Sequence, residues 1–474
     1  MRESGRTHPV TILFNLSRVF FLVIIPVIRG FISALSGGFA RWLSGAWVDI
    51  LVFFVMIAIA VIAWLCVSYR FDDERVQITS GLLLRSRKII PRRNITAFRV
   101  KKPFFLRPVR AVALSADTLG GKSKRPDFTI LLHENQADTL IQGMGLSSAD
   151  PSDRAYRPST VLIVALSLLT SGSFAGILFI ATFISQSGKL LGNRFSEMMI
   201  GTFEDAARTF AFGAPPAAAA IAYILLAGWF MGSVLSFIKY KNLTLTRRAQ
   251  LLDIESGIFT KRRYFVRLSD INFIDMRQNI LTKALKLTNL YLSAIGYGKQ
   301  KDDISCIIPS GREPSFSRSR EKIFPEFEPS PRQHAPGTTG IMRFLSEPVF
   351  CILGIAAAIF VFLSLFPSWR SFILFTGLMA FVPALFFLVT RIFDYSTCGI
   401  GASDGSYVLR YSTGFTLHTV VIPKDKIVRV ELRQSFFQKS GRYCDLVIHS
   451  RSEGHAAHCC RSLVKAELKV FFGL

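Results

Sequence analysis

The sequence predicts an α+β membrane protein: six transmembrane helices in three pairs, with a small cytoplasmic β-barrel-like domain after each pair. Three observations carry this expectation. Of 474 residues, 50% are hydrophobic and 19% charged, with a mean hydropathy of +0.38. A soluble chain of this length rarely reaches that average. The apolar residues gather into runs close to the roughly 20 needed to cross a bilayer. The polar remainder falls into three blocks that hold nearly all of the +25 net charge and that repeat one another. The apolar content and 43 Phe exclude a disordered chain.

The first apolar run, residues 10–35, carries Arg18, Pro26 and Arg29. It reads as a tilted or kinked span whose arginines reach the interfaces. A signal peptide fits less well, because the run is long, holds an internal Arg and lacks a small-x-small cleavage site. Residues 48–69, 160–184 and 215–238 are clearer spans, and 348–366 and 371–390 form a tight pair joined by PSWR. The domains follow: a first transmembrane pair at 10–69, a polar block at 70–158, a second pair with its outer loop at 159–238, a block at 239–310, a Pro- and Ser-rich linker at 311–343, a third pair at 344–390, and a last block at 391–474. The linker is expected to be mobile. The loops opposite the blocks carry few cations: Arg41, then Lys189, Arg194 and Arg208, then Arg370. The blocks begin or end with Arg70, Arg75, Arg154, Arg157, Lys239, Lys241, Arg343 and Arg391. The positive-inside rule then places all three blocks and both termini in the cytoplasm. Residues 185–214 form the largest outer segment, part of which suits a surface helix. Seven scattered cysteines, odd in number, fit reduced thiols rather than a disulfide framework.

Laid side by side, the blocks share landmarks. Each has a turn glycine, Gly81, Gly257 or Gly414. An isoleucine follows 14, 14 or 13 residues later, at Ile95, Ile271 and Ile427. Next come the polar pairs Lys101-Lys102, Arg277-Gln278 and Arg433-Gln434, then the apolar runs VALSA, LYLSA and LVIHS. Short alternating runs broken by Gly, Pro and Asn read as antiparallel strands. Helices close the first and third blocks from Glu134 and Arg461, with a poorer candidate at 318–324 in the second. The third block opens on a Gly-rich run, GIGASDGS, without a clear first strand.

A span pair followed by SG-x-l-x-r, then IP-xx-xI, then rQ resembles the bacterial PH-domain membrane proteins. The threefold arrangement, and His8-Pro9 before the first span, are similar to the YdbT-like branch. The chain departs from the pattern at Val266-Arg267, where Ile-Pro is usual, and at Lys101-Lys102, where Arg-Gln is usual. The resemblance implies three PH-like β-barrel domains facing the cytoplasm. It also implies a smaller relative, with one span pair and one such unit, as a partner.

Candidate chemistry is sparse. The string from Ala116 to Ser123 loosely matches a phosphate-binding loop, but a strand rather than a helix follows it, which suits a hairpin. His449, His455, His458, Cys459 and Cys460 form the one metal-like grouping, without a second half at zinc-site spacing. Asp72-Asp73-Glu74 reads as a solvated turn between Arg70 and Arg75. Nothing supports a catalytic residue, a cofactor or a metal. The strongest signal is basic. It comprises Arg85, Arg87, Lys88, Arg92, Arg93, Arg99, Lys101 and Lys102 in the first block. The second block has Lys261, Arg262, Arg263 and Arg267, and the third has Lys424, Lys426, Arg429 and Arg433. Each cation near an anionic leaflet contributes about 1 kcal/mol. The alternative for them is solvated strand faces. Tethering to the membrane argues against nucleic acid. The expected function is a non-catalytic integral membrane scaffold or interaction protein of the cell envelope. Its units would dock on a partner membrane protein, on each other or on anionic lipid headgroups. A component of a lipid or small-molecule transporter is the alternative, disfavoured because no span carries a mid-span acid.

Overall fold

The computed structural model describes residues 3–13, 16, 51, 54–72, 74–81, 84–118, 120, 126–143, 154–170, 197–198, 200–202, 205, 216–297, 303–403, 405–452 and 457–473. Among these, three helices are long and apolar enough to cross a membrane: Tyr223–Tyr240, Ile341–Leu365 and Pro367–Thr397. Six are predicted from the sequence. Two further runs are described in part, as the shorter apolar helices Phe54–Leu65 (α1) and Thr160–Thr170 (α3); residues 48–50, 52–53 and 171–184 of those runs lie outside the described residues. Most of the run at 10–35 and most of the outer segment at 185–214 lie outside the described residues.

Each polar block folds as six strands and a helix. The first comprises β2 (Ser68–Phe71), β3 (Arg75–Ser80), β4 (Ser86–Pro91), β5 (Ile95–Pro103), β6 (Ala111–Thr118), β7 (Phe128–His133) and α2 (Glu134–Gly143). The second comprises β9 (Thr244–Arg248), β10 (Leu251–Ser256), β11 (Thr260–Arg267), β12 (Ile271–Asn279), β13 (Leu287–Ala294), β14 (Cys306–Arg312) and α6 (Ser315–Ile323). The third comprises β15 (Gly399–Ala402), β16 (Ser406–Thr413), β17 (Thr416–Pro423), β18 (Ile427–Arg433), β19 (Tyr443–Ser450), β20 (Ala457–Val464) and α10 (Lys465–Phe472). Two short strands, β1 (Glu3–Arg6) and β8 (Arg154–Tyr156), pair with β2 and β9. The shared landmarks now have positions. Gly81, Gly257 and Gly414 turn the hairpins at φ of 118°, 101° and 57°, a region costly for any residue with a Cβ. Ile95, Ile271 and Ile427 open β5, β12 and β18 after a single 3-10 turn.

The strands do not close block by block. Two compact units form, the first comprising Met1–Ser152 with Arg248–Asp253 and Phe259–Arg267, the second the rest of the chain. In the first unit, β11 from the second block pairs antiparallel with β5 of the first. Its Phe265 enters the core beside Phe98, Leu114, Ile130 and Leu140. In the second unit, β17 from the third block pairs likewise with β12 of the second. There β15–β17 and β18–β20 close over a core of Ile400, Leu409, Val420, Leu446, Ile448 and Leu468.

The segment at 311–340, expected to be a mobile linker, is docked in the second unit. It begins with α6 and continues as an extended strap. Gln333 and His334 donate their N–H groups to Ile400 O at 2.9 and 3.0 Å, Ile400 N returns a bond to His334 O at 3.0 Å, and Arg332 donates to Ser396 O at 2.8 Å. The glycines that hide β15 in the sequence are what admit the strap. A Cβ at Gly399 would lie 2.3 Å from His334 O, and one at Gly401 would lie 2.1 Å from Pro331 O. The third block therefore has its first strand after all.

The last two long helices, α7 (Ile341–Leu365) and α8 (Arg370–Thr397), are clamped to the third block by charge. Arg391 of α8 bonds Glu347 of α7 at 2.7 Å and Ser412 Oγ of β16 at 2.7 Å, and Arg461 of β20 bonds Glu347 at 3.0 Å. All seven cysteines are free thiols, and Cys306, Cys398, Cys444 and Cys460 are buried.

Candidate functional site

The long strands β5 and β12 end at short helical turns, and there the sequence places an apolar pair in each block. Asn279 and Ser435 cap the turns α5 (Ile280–Ala284) and α9 (Phe436–Ser440) through reciprocal capping boxes. Pro103 opens a 3-10 turn at the first. Phe104-Phe105, Ile280-Leu281 and Phe436-Phe437 thus occupy equivalent places at the start of their turns. In the first unit Phe104 and Phe105 are 61% and 53% exposed, and Phe259, at the β11 end of the same tip, is 56% exposed. Phe104 meets Phe259 edge to face at 6.3 Å, and Arg107 donates to Phe259 O at 3.2 Å. Such a cluster of exposed aromatics makes this tip a candidate site.

The tip is also cationic by register. Pairing of β5 with β11 sets Lys102 opposite Lys261 and Lys101 opposite Arg262. Like charges opposed across a strand pair are destabilising, by up to about 1 kcal/mol each. Lys102 also bonds Glu134. The equivalent tip of the second unit shows what such a place abuts. Leu281 and Phe415 line an open groove of about 330 Å³ with Val382, Pro383 and Phe386 of α8. Phe415 packs on Phe387 at 5.9 Å, and the Lys283 ammonium sits 4.5 Å over the Phe393 ring. That tip rests on a helix long and apolar enough to cross a membrane, and Val382, Pro383, Phe386 and Phe387 fall within the run predicted as the span at 371–390.

The other basic residues are spread. β5 is nine residues long, so its ends lie roughly 26 Å apart. Arg92 and Arg93 sit at the end away from the tip, where their carbonyls accept from Arg267. Lys424 and Lys426 occupy the same place in the third block. Lys424 lies 5.4 Å over the Tyr407 ring and Lys426 donates to Ser269 O at 2.7 Å. Arg263 holds Asp253 at 2.7 Å, and Arg99 is buried 3.7 Å from Asp117 and 5.3 Å over the Tyr264 ring. Arg85, Arg87 and Lys88 lie on or beside β4, with Arg87 donating to Gln77 at 2.8 Å and Lys88 to Asp127 O at 2.9 Å. On β18, Arg429 and Arg433 flank Glu431 at 2.9 and 2.8 Å. With the Arg433 hydrogen bond leading, and His449 adding to it, they hold its carboxyl down at about 2. The structure thus gathers Lys101, Lys102, Lys261 and Arg262 and disperses the rest. The aromatic half of the tip was missed from the sequence, although PFF, NIL and SFF recur in repeat register immediately after the polar pairs.

Of the metal-like grouping, His455 lies outside the described residues, and His458 is buried between Tyr411 Oη at 2.9 Å and Ser450 Oγ at 3.1 Å. The phosphate-loop string joins the antiparallel strands β6 and β7, as a hairpin does. A further polar network lies in the β12–β17 junction, where Asp275 accepts from Arg277 at 2.6 Å and pairs with His418 at 2.9 Å. Burial alone would raise the Asp275 carboxyl. The His418 hydrogen bond and the charges of His418 and Arg277 outweigh it and hold the group below the usual carboxylate range. The Gln of the polar pairs has a local task. Gln278 donates to Leu287 O at 3.1 Å and Gln434 to Tyr443 O at 2.8 Å, tying each long strand to the next.

No solved structure matches this chain. It is similar to the UPF0699 transmembrane protein YdbT of Bacillus subtilis (strain 168), 20% identical over 490 residues, covering 96% of this chain and 94% of that protein. The bacterial PH domain matches three times, at residues 18–146, 196–314 and 349–468. Three six-stranded repeats, apolar helices long enough to span a bilayer and these matches identify the chain as a membrane protein of the bacterial PH-domain family.

Proposed function

We propose that this chain is a non-catalytic scaffold of the cell envelope whose PH-like domains face the cytoplasm and dock, through their strand tips, on the anionic membrane surface or on a partner membrane protein. One observation carries the reading: Phe104, Phe105 and Phe259 stand exposed beside Lys101, Lys102, Lys261 and Arg262. Aromatic rings suit the headgroup boundary and the cations suit its charge. The cytoplasmic placement rests on the positive charge of the blocks.

The test is a reporter at the tip. Phe104→Trp protein, reconstituted in vesicles with brominated acyl chains, should show quenching above that of the unsubstituted chain when anionic lipid is present. The quenching should fall when Lys102→Glu and Lys261→Glu are added. No extra quenching in either lipid rejects membrane docking by the tip. A partner protein is sought by purifying the tagged chain from its native membrane and identifying what accompanies it by mass spectrometry.

A further inference from the structure

The chain joins its repeats twice by the same device. In the first unit Phe98 of β5 opposes Phe265 of β11, and in the second Ile274 of β12 opposes Val421 of β17. Phe98 and Ile274 each lie three residues after the isoleucine that opens the strand. Phe265 and Val421 each lie two residues before the last residue of theirs. The register is therefore identical at the two junctions. Each junction consumes the long strand of one repeat and the third strand of the next, so one of each is left over. Those are β18 of the third repeat and β4 of the first. Among the described strands, β4 pairs only with β3 and β18 only with β19, which leaves both at sheet edges.

We propose that β18 of one copy of this chain pairs with β4 of a second copy, in the register already used twice within the chain. That register sets Val430 opposite Ile89 and Glu431 opposite Lys88, with Val428 at the bulge where the two existing ladders end. The residues fit the task. Ile89 occupies the position of Phe265 and Val421, both buried in their junctions, yet is 51% exposed; Val428 is 70% exposed. Val430 and Leu432 pack on the third-repeat core only in part. Ile89 would cover them as Phe265 covers Phe98. A partly apolar edge strand without a second partner invites strand addition. Neither edge has a second strand partner among the described strands. The inference deepens the docking reading, on which it relies for the membrane setting, and names the surface and the partner. The contact joins two different patches, so it closes a ring of few copies or extends a row in the membrane plane.

Two differently tagged chains are co-expressed, one carrying Val430→Cys and the other Ile89→Cys, and oxidised in native membranes. Directly opposed residues bring their Cβ atoms within about 5 Å, close enough for a disulfide. A crosslink joining the two tags is expected, absent from each single variant and from the control pairing Val430→Cys with Lys88→Cys, which points to the other face. No mixed crosslink overturns the proposal. So does a bond formed only inside one chain when both substitutions share it, since the edges would then close on themselves. As a second measurement, Ile89→Lys with Val428→Lys replaces two residues exposed in the single copy, so folding is undisturbed. It should abolish co-precipitation of the two tags, and persistence of that signal overturns the pairing. Quenching at Phe104→Trp is read separately, so edge pairing and tip docking fail or stand independently.

Discussion

Replacing Arg391 by Met tests whether the third repeat and its span pair are one mechanical piece. The Arg391 side chain is 4% exposed and that of Asp394, 3.4 Å away, is 1% exposed. With Arg391 gone, Glu347 keeps Arg461 and is 37% exposed, so its loss is small. Asp394 keeps only the Ser412 hydroxyl among these neighbours, at 2.6 Å. Removing one partner of a buried pair costs about 3–5 kcal/mol, because the other is left uncompensated. The lost stacking of Arg391 on Phe387, at 4.9 Å, adds about 0.5–1 kcal/mol. The buried thiols Cys444 and Cys460 offer the assay, since they react with a maleimide only when this unit opens. At about 1.4 kcal/mol per tenfold, their labelling should quicken by roughly two and a half to four orders of magnitude. Adding Asp394→Asn should restore most of the protection, a coupling of roughly 3 kcal/mol in the double-mutant cycle. Labelling within tenfold of the wild type, or a double variant weaker than Arg391→Met alone, would refute the reasoning.

Other outcomes follow from the same packing. Phe265→Ala, although in the second repeat by sequence, should cost about 3–5 kcal/mol to the first unit; proteolysis should quicken across residues 95–143 and stay unchanged across 399–473. Gly401→Ala puts a methyl against Pro331 O and should free the strap, at about 1–3 kcal/mol, so that proteases cut residues 324–335 faster. The Asp275 carboxyl is held low by His418 and Arg277, so its contribution is full above the ordinary carboxylate value of about 3.9 and is lost as pH falls through the lowered folded value. Denaturation midpoints of wild type and Asp275→Asn should differ at pH 7 and converge below about pH 4; an unchanged gap would show that the pair contributes nothing.

Much of the fold was legible because repetition amplifies weak signals. A glycine at a hairpin or an isoleucine at a strand start is a poor marker once and a good one three times. The Gly-rich β15 and the Pro-rich strap misled for one shared reason. Each looks featureless alone, and only their contact explains why glycine is required in one and extended backbone in the other. The cations misled differently. Composition reports how many there are, but Arg99, Arg263, Arg267 and Lys426 are already engaged by carboxylates or carbonyls that are remote in sequence.

The pairing between consecutive repeats left no local trace, and the reason is general. Alternation along β5 and β12 reports that the strands are buried, and burial reads the same whether the neighbouring strand comes from the same repeat or the next. Each repeat contributes two half-sheets, and the chain uses the long strand of one and the third strand of the following one as a standard joint. Such a joint has two consequences. It passes stability along the chain, since the first core is completed by Phe265 of the second repeat. It also leaves any finite number of repeats with one unmatched strand at each end. A chain of repeats joined in this way is open by construction, whatever the number of repeats.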